Sequence, residues 1–358
     1  MIQILLFPLS LLFEVITSIR NFCFDIGIFK TYKSAIPVIS IGNITVGGTG
    51  KTPLVLFLAE KLIADGRKPV ILSRGYKGKR KGPALVVTDF PSEQCASSSE
   101  ATTLYGDEPV LMALRKLCPV VIARKRVDGA KMIEQEKLGD IILLDDGYQH
   151  RWLSRDIDIV CIDCSCDASI KAFQDGKLLP SGIFRENKKN GLKRASYFCF
   201  SFRRIIPPHL VAEQYQKTVN VLSQDLGETK NFASYFSGME VKNSKGDILN
   251  PCHVIPLAGI AKPQGFLTSL KDLGFSFDDT SLLFSDHHQF STQDISRIDD
   301  LIRSGVPIVC TEKDLVRLPE DINKKVYVLY GTLALETTHL SRPIFSFTSD
   351  GITNQLFL

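Results

Sequence analysis

The run Gly42-Asn43-Ile44-Thr45-Val46-Gly47-Gly48-Thr49-Gly50-Lys51-Thr52 has the residue types that bind phosphate. Small residues let backbone N–H groups close around phosphate oxygens. A helix beginning there would add the positive end of its dipole. Residues 36–41 read as a buried strand and residues 52–65 as a helix ended by Gly66, which is the context a P-loop requires. Lys51 would reach the β- and γ-phosphates, and the Thr52 hydroxyl would hold Mg²⁺. The expected nucleotide contacts are Gly47, Gly48, Thr49, Gly50, Lys51 and Thr52. One position departs from the strict pattern. Thr45 stands where G-x-x-x-x-G-K-[ST] has its first glycine. An ordinary glycine turn with a chance Gly-Lys-Thr is the plainer reading, but it would need no second element.

A second element is present. Ile141-Ile142-Leu143-Leu144 leads into Asp145-Asp146. Four apolar residues ending in acids is the form of a Walker B strand, whose carboxylate holds Mg²⁺ directly or through water. Alone the pattern is weak, because many buried strands end in Asp. Downstream of a P-loop it is strong. The expected metal set is Thr52, Asp145 and Asp146, and the spacing leaves open which aspartate lies nearer the ion. ATP and Mg²⁺ are the expected cofactors.

These residues need a frame. The chain has 358 residues, 44% hydrophobic and 23% charged, which suits two α/β units of ordinary size. Disorder is expected only in short tips such as Ser97–Ser99. A net charge of +4 is far from that of a dedicated nucleic-acid binder and suits contact with anionic lipid or phosphate. Nine cysteines, without regular spacing, indicate a reducing compartment. The group Cys161, Cys164, Cys166 lacks a fourth zinc ligand and reads as the end of a buried strand.

Strand-like runs (69–72, 84–88, 119–123, 141–144, 157–162, 195–200) alternate with helix-like runs (108–117, 127–137). Pro207-Pro208 breaks this pattern. Residues 209–250 read as irregular, with hairpin pieces near 239–248. The βα alternation then resumes, with strands at 253–258, 281–284, 306–310 and 325–330 and helices at 264–273 and 292–304. Residues 1–16 are nearly all apolar. The uninterrupted run is short of the ~20 residues that span a bilayer, and it lacks a signal peptide's basic start and cleavage site. It reads as a helix in the membrane interface, followed by Arg20, Lys30 and Lys33. The competing reading is a buried helix. The expected organisation is therefore a membrane-associated helical region at 1–30, a P-loop NTPase-type (RecA-like) α/β/α domain at 31–207, and a smaller α/β domain at 208–358 that closes the cleft.

Asp145-Asp146-Gly147-Tyr148-Gln149-His150-Arg151, together with residues 40–52, resembles the tetraacyldisaccharide 4′-kinase family. So do Ser73-Arg74-Gly75-Tyr76, Gly106-Asp107-Glu108-Pro109, Ala123-Arg124-Lys125-Arg126, Leu179-Pro180-Ser181-Gly182 with Arg185-Glu186, Ala258-Gly259-Ile260-Ala261, Asp286-His287-His288 and Thr311-Glu312-Lys313-Asp314. The resemblance runs to about residue 319. It implies transfer of the ATP γ-phosphate to the 4′-hydroxyl of a tetraacylated disaccharide 1-phosphate, giving lipid IVA in lipid A biosynthesis. It also implies a peripheral or monotopic place on the cytoplasmic face of the bacterial inner membrane. The expected partners are the acylated lipid and the membrane, with no nucleic acid, and the expected state is a monomer.

The resemblance makes Asp107 the base for the sugar hydroxyl, although by pattern alone it reads as a helix N-cap. It makes His287, rather than His288, the partner of Asp107, and sets Lys51 beside them as the third catalytic residue. Adjacent side chains rarely converge on one ion, so Asp286-His287-His288 is not read as a metal site. Gln149 is expected near the γ-phosphate. Tyr76, Arg126 and His150 are expected to contact substrate, and Arg124 and Arg126 suit either the lipid's 1-phosphate or the ATP phosphates. Lys77, Lys79, Arg80 and Lys81 are a solvated run or a headgroup contact. Glu186 is a lesser site carboxylate. The alternative function is a membrane-associated P-loop NTPase switch. Thr311-Glu312-Lys313-Asp314 only superficially resembles a guanine-reading motif.

Overall fold

The computed structural model describes residues 2–86, 97–227, 230–279 and 281–337, with the backbone of a short hairpin at 346–348 and 351–353. Its frame is a single twelve-stranded sheet. The strands are β1 (Val38–Gly42), β2 (Pro69–Ser73), β3 (Ala84–Leu85), β4 (Val120–Ile122), β5 (Ile141–Asp145), β6 (Ile157–Asp163), β7 (Tyr197–Ile205), β8 (Asn231–Lys242), β9 (Ile255–Ala258), β10 (Leu282–Leu283), β11 (Ile308–Thr311) and β12 (Tyr327–Glu336). Their order is β10-β9-β11-β12-β8-β7-β6-β1-β5-β2-β4-β3. Two pairings are antiparallel, β12 with β8 and β3 with β4; the other pairings in this sheet are parallel.

The strands are apolar on both faces because helices cover both sides of a parallel sheet. Ile39, Ile41, Ile71 and Leu143 pack into one core, while Val38, Val70, Leu72, Ile142 and Leu144 fill the opposite one. The same alternation recurs beyond β8. Ile255, Leu257, Ile308 and Cys310 face one side, and Val254, Ala258 and Val309 the other. The boundary expected at residue 207 falls between β7 and the next helix, and the sheet runs through it.

Helix α1 (Ile2–Asp25) extends well past the apolar run. Its stretch Leu6–Asp25 is long and apolar enough to cross a membrane by length and composition. The helix is inverted relative to an ordinary surface helix. Ser10, Thr17 and Asn21 are buried, while Phe7, Leu11, Leu12, Val15, Ile16, Ile19 and Phe22 are exposed. Polar bonds hold its inner face. Ser10 Oγ donates to Ser181 Oγ at 2.8 Å, Asn21 Nδ2 to Glu186 Oε2 at 2.8 Å, and Asn187 Nδ2 to Glu14 Oε1 at 2.6 Å.

Two expectations are corrected. Residues 97–99 are ordered: Ser97 Oγ accepts from Glu100 N and caps α3 (Ser98–Tyr105). Residues 209–250 are largely regular, forming the helix Pro208–Leu226 and strand β8. The helix buries Val211, Tyr215, Thr218, Leu222 and Leu226, which lie three or four apart along one stripe. Polar and β-branched residues between them hide that stripe in the sequence. The expected strand at 84–88 is β3, and its last two residues lie outside the described ones.

Leu222 is fully buried in the core beside Phe200 and Tyr215. Leu222→Ala is expected to cost about 2–5 kcal/mol, read as a lower urea midpoint at unchanged denaturant slope.

Candidate active site

The P-loop connects β1 to α2 (Lys51–Ala64). Helix α2 is fixed by Leu54, Val55, Leu58, Ala59 and Leu62, all buried on one face. Gly50 sits before it at φ 79°, and a Cβ there would come within 2.2 Å of Ser201 Oγ, so only glycine fits. The Thr45 departure has a physical reason. Thr45 bridges to Phe184, Val46 N donates to Ile183 O at 2.8 Å, and Arg185 N donates to Ile44 O at 2.8 Å. The loop entry is pinned as a short antiparallel ladder, where a β-branched residue suits better than glycine.

Strand β5 lies directly beside β1, with Ile41 opposite Asp145. The two aspartates then diverge. Asp146 takes φ 47° and meets Lys51 at 3.6 Å and Arg185 at 3.1 Å. Burial opposes its charge, but these two cations hold its carboxyl below the usual carboxylate range. Asp145 is buried and accepts from Ser73 Oγ at 2.9 Å through Oδ2. Its Oδ1 has no hydrogen-bond partner among the described residues. Burial, with Glu108 and Asp146 nearby, raises its pKa to about 7. An unpartnered carboxylate oxygen in an acidic pocket beside a P-loop fits a divalent cation. No cluster of three His, Cys, Asp or Glu side chains is found among the described residues. Mg²⁺ held chiefly through phosphate and one or two carboxylates needs none.

Helix α4 (Asp107–Leu114) begins opposite these residues. Gly106 takes φ 95°, and a Cβ there would press to 2.6 Å on Tyr76 O. This close approach brings Tyr76 beside the helix start. Gly106, not Asp107, occupies the N-cap position; Asp107 Oδ1 accepts from Glu108 N at 3.0 Å. Asp107 Oδ2 lies 2.7 Å from His287 Nδ1, although 180 residues separate them. His287 takes φ 58°; a non-glycine residue in this region carries strain that clusters at functional sites. Burial would raise the Asp107 pKa, but the bond and charge of His287, with Lys313 and Arg317, hold it below the usual carboxylate range. His288 points elsewhere, to Asp294 Oδ2 at 3.0 Å, and stacks on Phe284.

Lys51, Thr52, Asp107, Asp145, Asp146 and His287 line one cleft of about 1940 Å³, which also takes in Tyr76, Arg126, Gln149, His150 and Arg185. Tyr76 stands exposed, edge-on to His287 at 5.7 Å between ring centres. Arg126 is buried, bonded to Arg124 O at 3.2 Å, and burial beside Arg74 lowers its pKa to about 10. Arg124 instead donates to Gly78 O at 3.0 Å. Burial, with Arg126, Arg155 and Arg74 close by, lowers the His150 pKa to about 4. Gln149 spends both ends of its amide on the protein: Nε2 donates to Asn43 O at 2.8 Å and Glu186 Oε1 at 3.2 Å, and Oε1 accepts from Arg185 at 3.3 Å. Glu186 is fully buried and paired with Arg194 at 2.8 Å, so it braces the site from behind. Lys77, Lys79, Arg80 and Lys81 are solvent-exposed. The cysteine group splits, with Cys161 and Cys164 buried and Cys166 exposed.

Sequence reasoning passed over several cleft residues. Arg185, Lys313, Glu108 and Arg74 lie inside the family-like motifs, where no local pattern gives them a role. Arg203 and Lys262, which share Asp163 at 2.9 and 3.3 Å, carried no local signal, because the fold alone brings them to the phosphate loop.

A P-loop, a Walker B carboxylate and an opposed Asp–His pair in one cleft define a nucleotide-dependent phosphotransferase. The family model for tetraacyldisaccharide-1-P 4′-kinase matches residues 2–346. The chain is 37% identical over 313 residues to the tetraacyldisaccharide 4′-kinase of Psychromonas ingrahamii, covering 87% of this chain and 85% of that protein. It is 39% identical over 311 residues to that of Idiomarina loihiensis, covering 87% and 82%. A crystal structure of LpxK from Aquifex aeolicus in complex with ATP superposes with TM-score 0.70 at 29% identity, over 95% of this chain and 96% of that one. The chain belongs to the tetraacyldisaccharide 4′-kinase family.

Burial, with its cationic neighbours, holds His150 neutral, so the folded state binds fewer protons than the unfolded one between the ordinary histidine pKa and about 4. Stability from this group is therefore present near neutrality and lost as pH falls through that window. His150→Gln should flatten the stability curve between about pH 6.5 and 4, measured by urea unfolding at stepped pH.

Proposed function

We infer that this protein is an ATP-dependent kinase that phosphorylates the 4′-hydroxyl of a tetraacyldisaccharide 1-phosphate, the lipid A precursor that becomes lipid IVA. The contact of His287 with Asp107, opposite the P-loop, carries this reading at the level of residues. A P-loop ATPase switch needs to orient only water; a buried Asp–His pair facing the phosphate loop suits an organic hydroxyl.

In the reaction proposed, the substrate hydroxyl sits against Asp107. His287, with its proton on Nδ1, donates to Asp107 Oδ2 and leaves Oδ1 for the incoming proton. As the sugar oxygen bonds to the γ-phosphorus, the bond to the β–γ bridging oxygen breaks and Asp107 takes the proton. Such transition states are loose, so positioning and charge neutralisation contribute most. Lys51 and Arg185 start on Asp146 and are placed to turn to phosphate oxygens. Arg126 and the neutral His150 offer donors to a substrate phosphate or sugar. Tyr76 covers the His287 side of the cleft. Asp145, with Thr52, is the better ligand for Mg²⁺, since Asp146 is already paired; the ion would neutralise phosphate charge.

The membrane reading is supported by the outward apolar face of α1, continued by Ile26, Ile28 and the half-exposed Trp152. Phe24, Phe29 and Trp152 pack together at 4.9–5.2 Å between ring centres, and aromatic clusters of this kind favour the headgroup level. We place the enzyme on the cytoplasmic face of the inner membrane, where ATP and the acylated substrate meet.

With γ-labelled ATP and tetraacyldisaccharide 1-phosphate in micelles, the native protein should label the lipid. Lys51→Ala and Asp107→Ala should each lose at least about 10²-fold. Free phosphate without labelled lipid would favour the ATPase switch. Leu12→Glu with Ile19→Glu should abolish co-sedimentation with anionic vesicles while ATP binding persists; undiminished sedimentation would remove the interfacial role of α1.

A further inference from the structure

The segment after β11 folds as a short helix, Glu312–Leu315, capped by Thr311 Oγ1, which accepts from Asp314 N at 3.2 Å. It crosses to the first half of the chain at two points. Lys313 Nζ bonds to Glu108 Oε1, and Arg115 bonds to Glu312 Oε1. Glu108 and Arg115 both belong to the α4 region, which begins with Asp107. The segment is also locked to the loop that bears His287. Asp314 Oδ1 accepts from Gly259 N at 2.9 Å, Arg317 donates to Gly259 O and His288 O at 3.1 Å each, and His287 N donates to Gly259 O at 3.1 Å. Asp314 and Arg317 are buried, and their pair measures 2.7 Å. The loop of His287 and the turn of Lys313 therefore form one rigid piece. That piece touches α4 at two successive residues, His287 on Asp107 and Lys313 on Glu108.

We propose that Lys313 is a positioning residue for phosphoryl transfer, which clamps the first turn of α4 through Glu108 and sets Asp107 against His287. Its acidic neighbours show why an ammonium is required here. Glu108 lines the same cleft as Asp145 and the P-loop, so an uncompensated Glu108 adds negative charge beside the metal and phosphate site. Asp107 and Asp286 lie near the same ammonium, and burial works against its charge, yet the three acids hold the Lys313 pKa above its usual value. Lys313, itself half-buried, thus keeps an acidic cluster at the cleft charged but balanced. Glu312 on Arg115 holds the far end of α4, and Lys313 on Glu108 is the contact beside Asp107 that fixes the direction of its carboxylate. This inference rests on Asp107 acting as the base.

The test compares Lys313→Ala, Lys313→Arg, Lys313→Ala/Glu108→Gln and Asp107→Asn in the lipid-labelling assay across pH, with thermal melting of each. Lys313→Ala is expected to lose roughly 10–100-fold in kcat with KM for ATP within about twofold. Its acid limb should move to higher pH, because removing a cation raises the pKa of the base. Lys313→Arg should keep the native acid limb. The Lys313→Ala/Glu108→Gln double variant should return the acid limb toward the native pH, since it removes the charge left unpaired, while kcat stays depressed because the clamp is gone. Native kcat in Lys313→Ala or in the double variant would overturn the proposal. So would a loss with an unmoved acid limb in Lys313→Ala, which would mark a merely structural lysine. Should Lys313→Ala melt below assay temperature, Lys313→Arg and the double variant decide alone: a displaced acid limb in the former or native kcat in the folded latter overturns it. Native activity in Asp107→Asn would instead overturn the reading of the base and leave the kinase assignment standing.

Discussion

The two halves of the candidate active site meet at one contact, the 2.7 Å bond between His287 and Asp107. Neither residue can make it locally, because they belong to opposite ends of a long sheet. The constraint is met by β8, which pairs parallel with β7 and antiparallel with β12. That strand converts two α/β units into a single sheet. Backbone ladders tolerate little shear without exchanging register, so the halves cannot slide freely. Any hinging about β8 would part Asp107 from His287 and Glu108 from Lys313 together.

The fold was legible wherever apolar runs were bounded by glycine, proline or acids. The alternation of β1, β2, β4, β5 and β6 with helices could be read from residues 36–162, since strands buried on both faces write themselves as continuous apolar runs. The helix Pro208–Leu226 could not. Its buried stripe includes Thr218 and Tyr215, and its solvent face carries Leu210 and Val221, so the apolar signal is smeared around the cylinder. The partnership of β8 with strands on both sides was equally hidden, because sheet order is set by long-range packing.

The site divides in the same way. Residues within the P-loop, and those within Walker B, act close to one another in sequence, so spacing exposes each motif. Asp107 and His287 were reached only through resemblance to a family, since one acid at a helix start and one histidine in a loop are individually commonplace. Arg185, Glu108 and Lys313 acquire meaning only when the fold gives them partners. The separate behaviour of Asp145 and Asp146 was likewise out of reach. It arises from the turn in chain direction at φ 47°, which sends one side chain inward and the other toward Lys51 and Arg185.

The inverted first helix bears on the timing of synthesis. Its polar side chains find their partners in Ser181, Glu186 and Asn187, which lie 165–173 residues further along the chain. At about 5–20 residues per second, a nascent chain carries that helix for on the order of ten to thirty seconds before those partners exist. During this interval its serines, threonine and asparagine face no protein, while its leucines and phenylalanines already need cover. An apolar face left open for that long calls for cover of the kind lipid or a chaperone supplies, until the later residues arrive to meet its polar side.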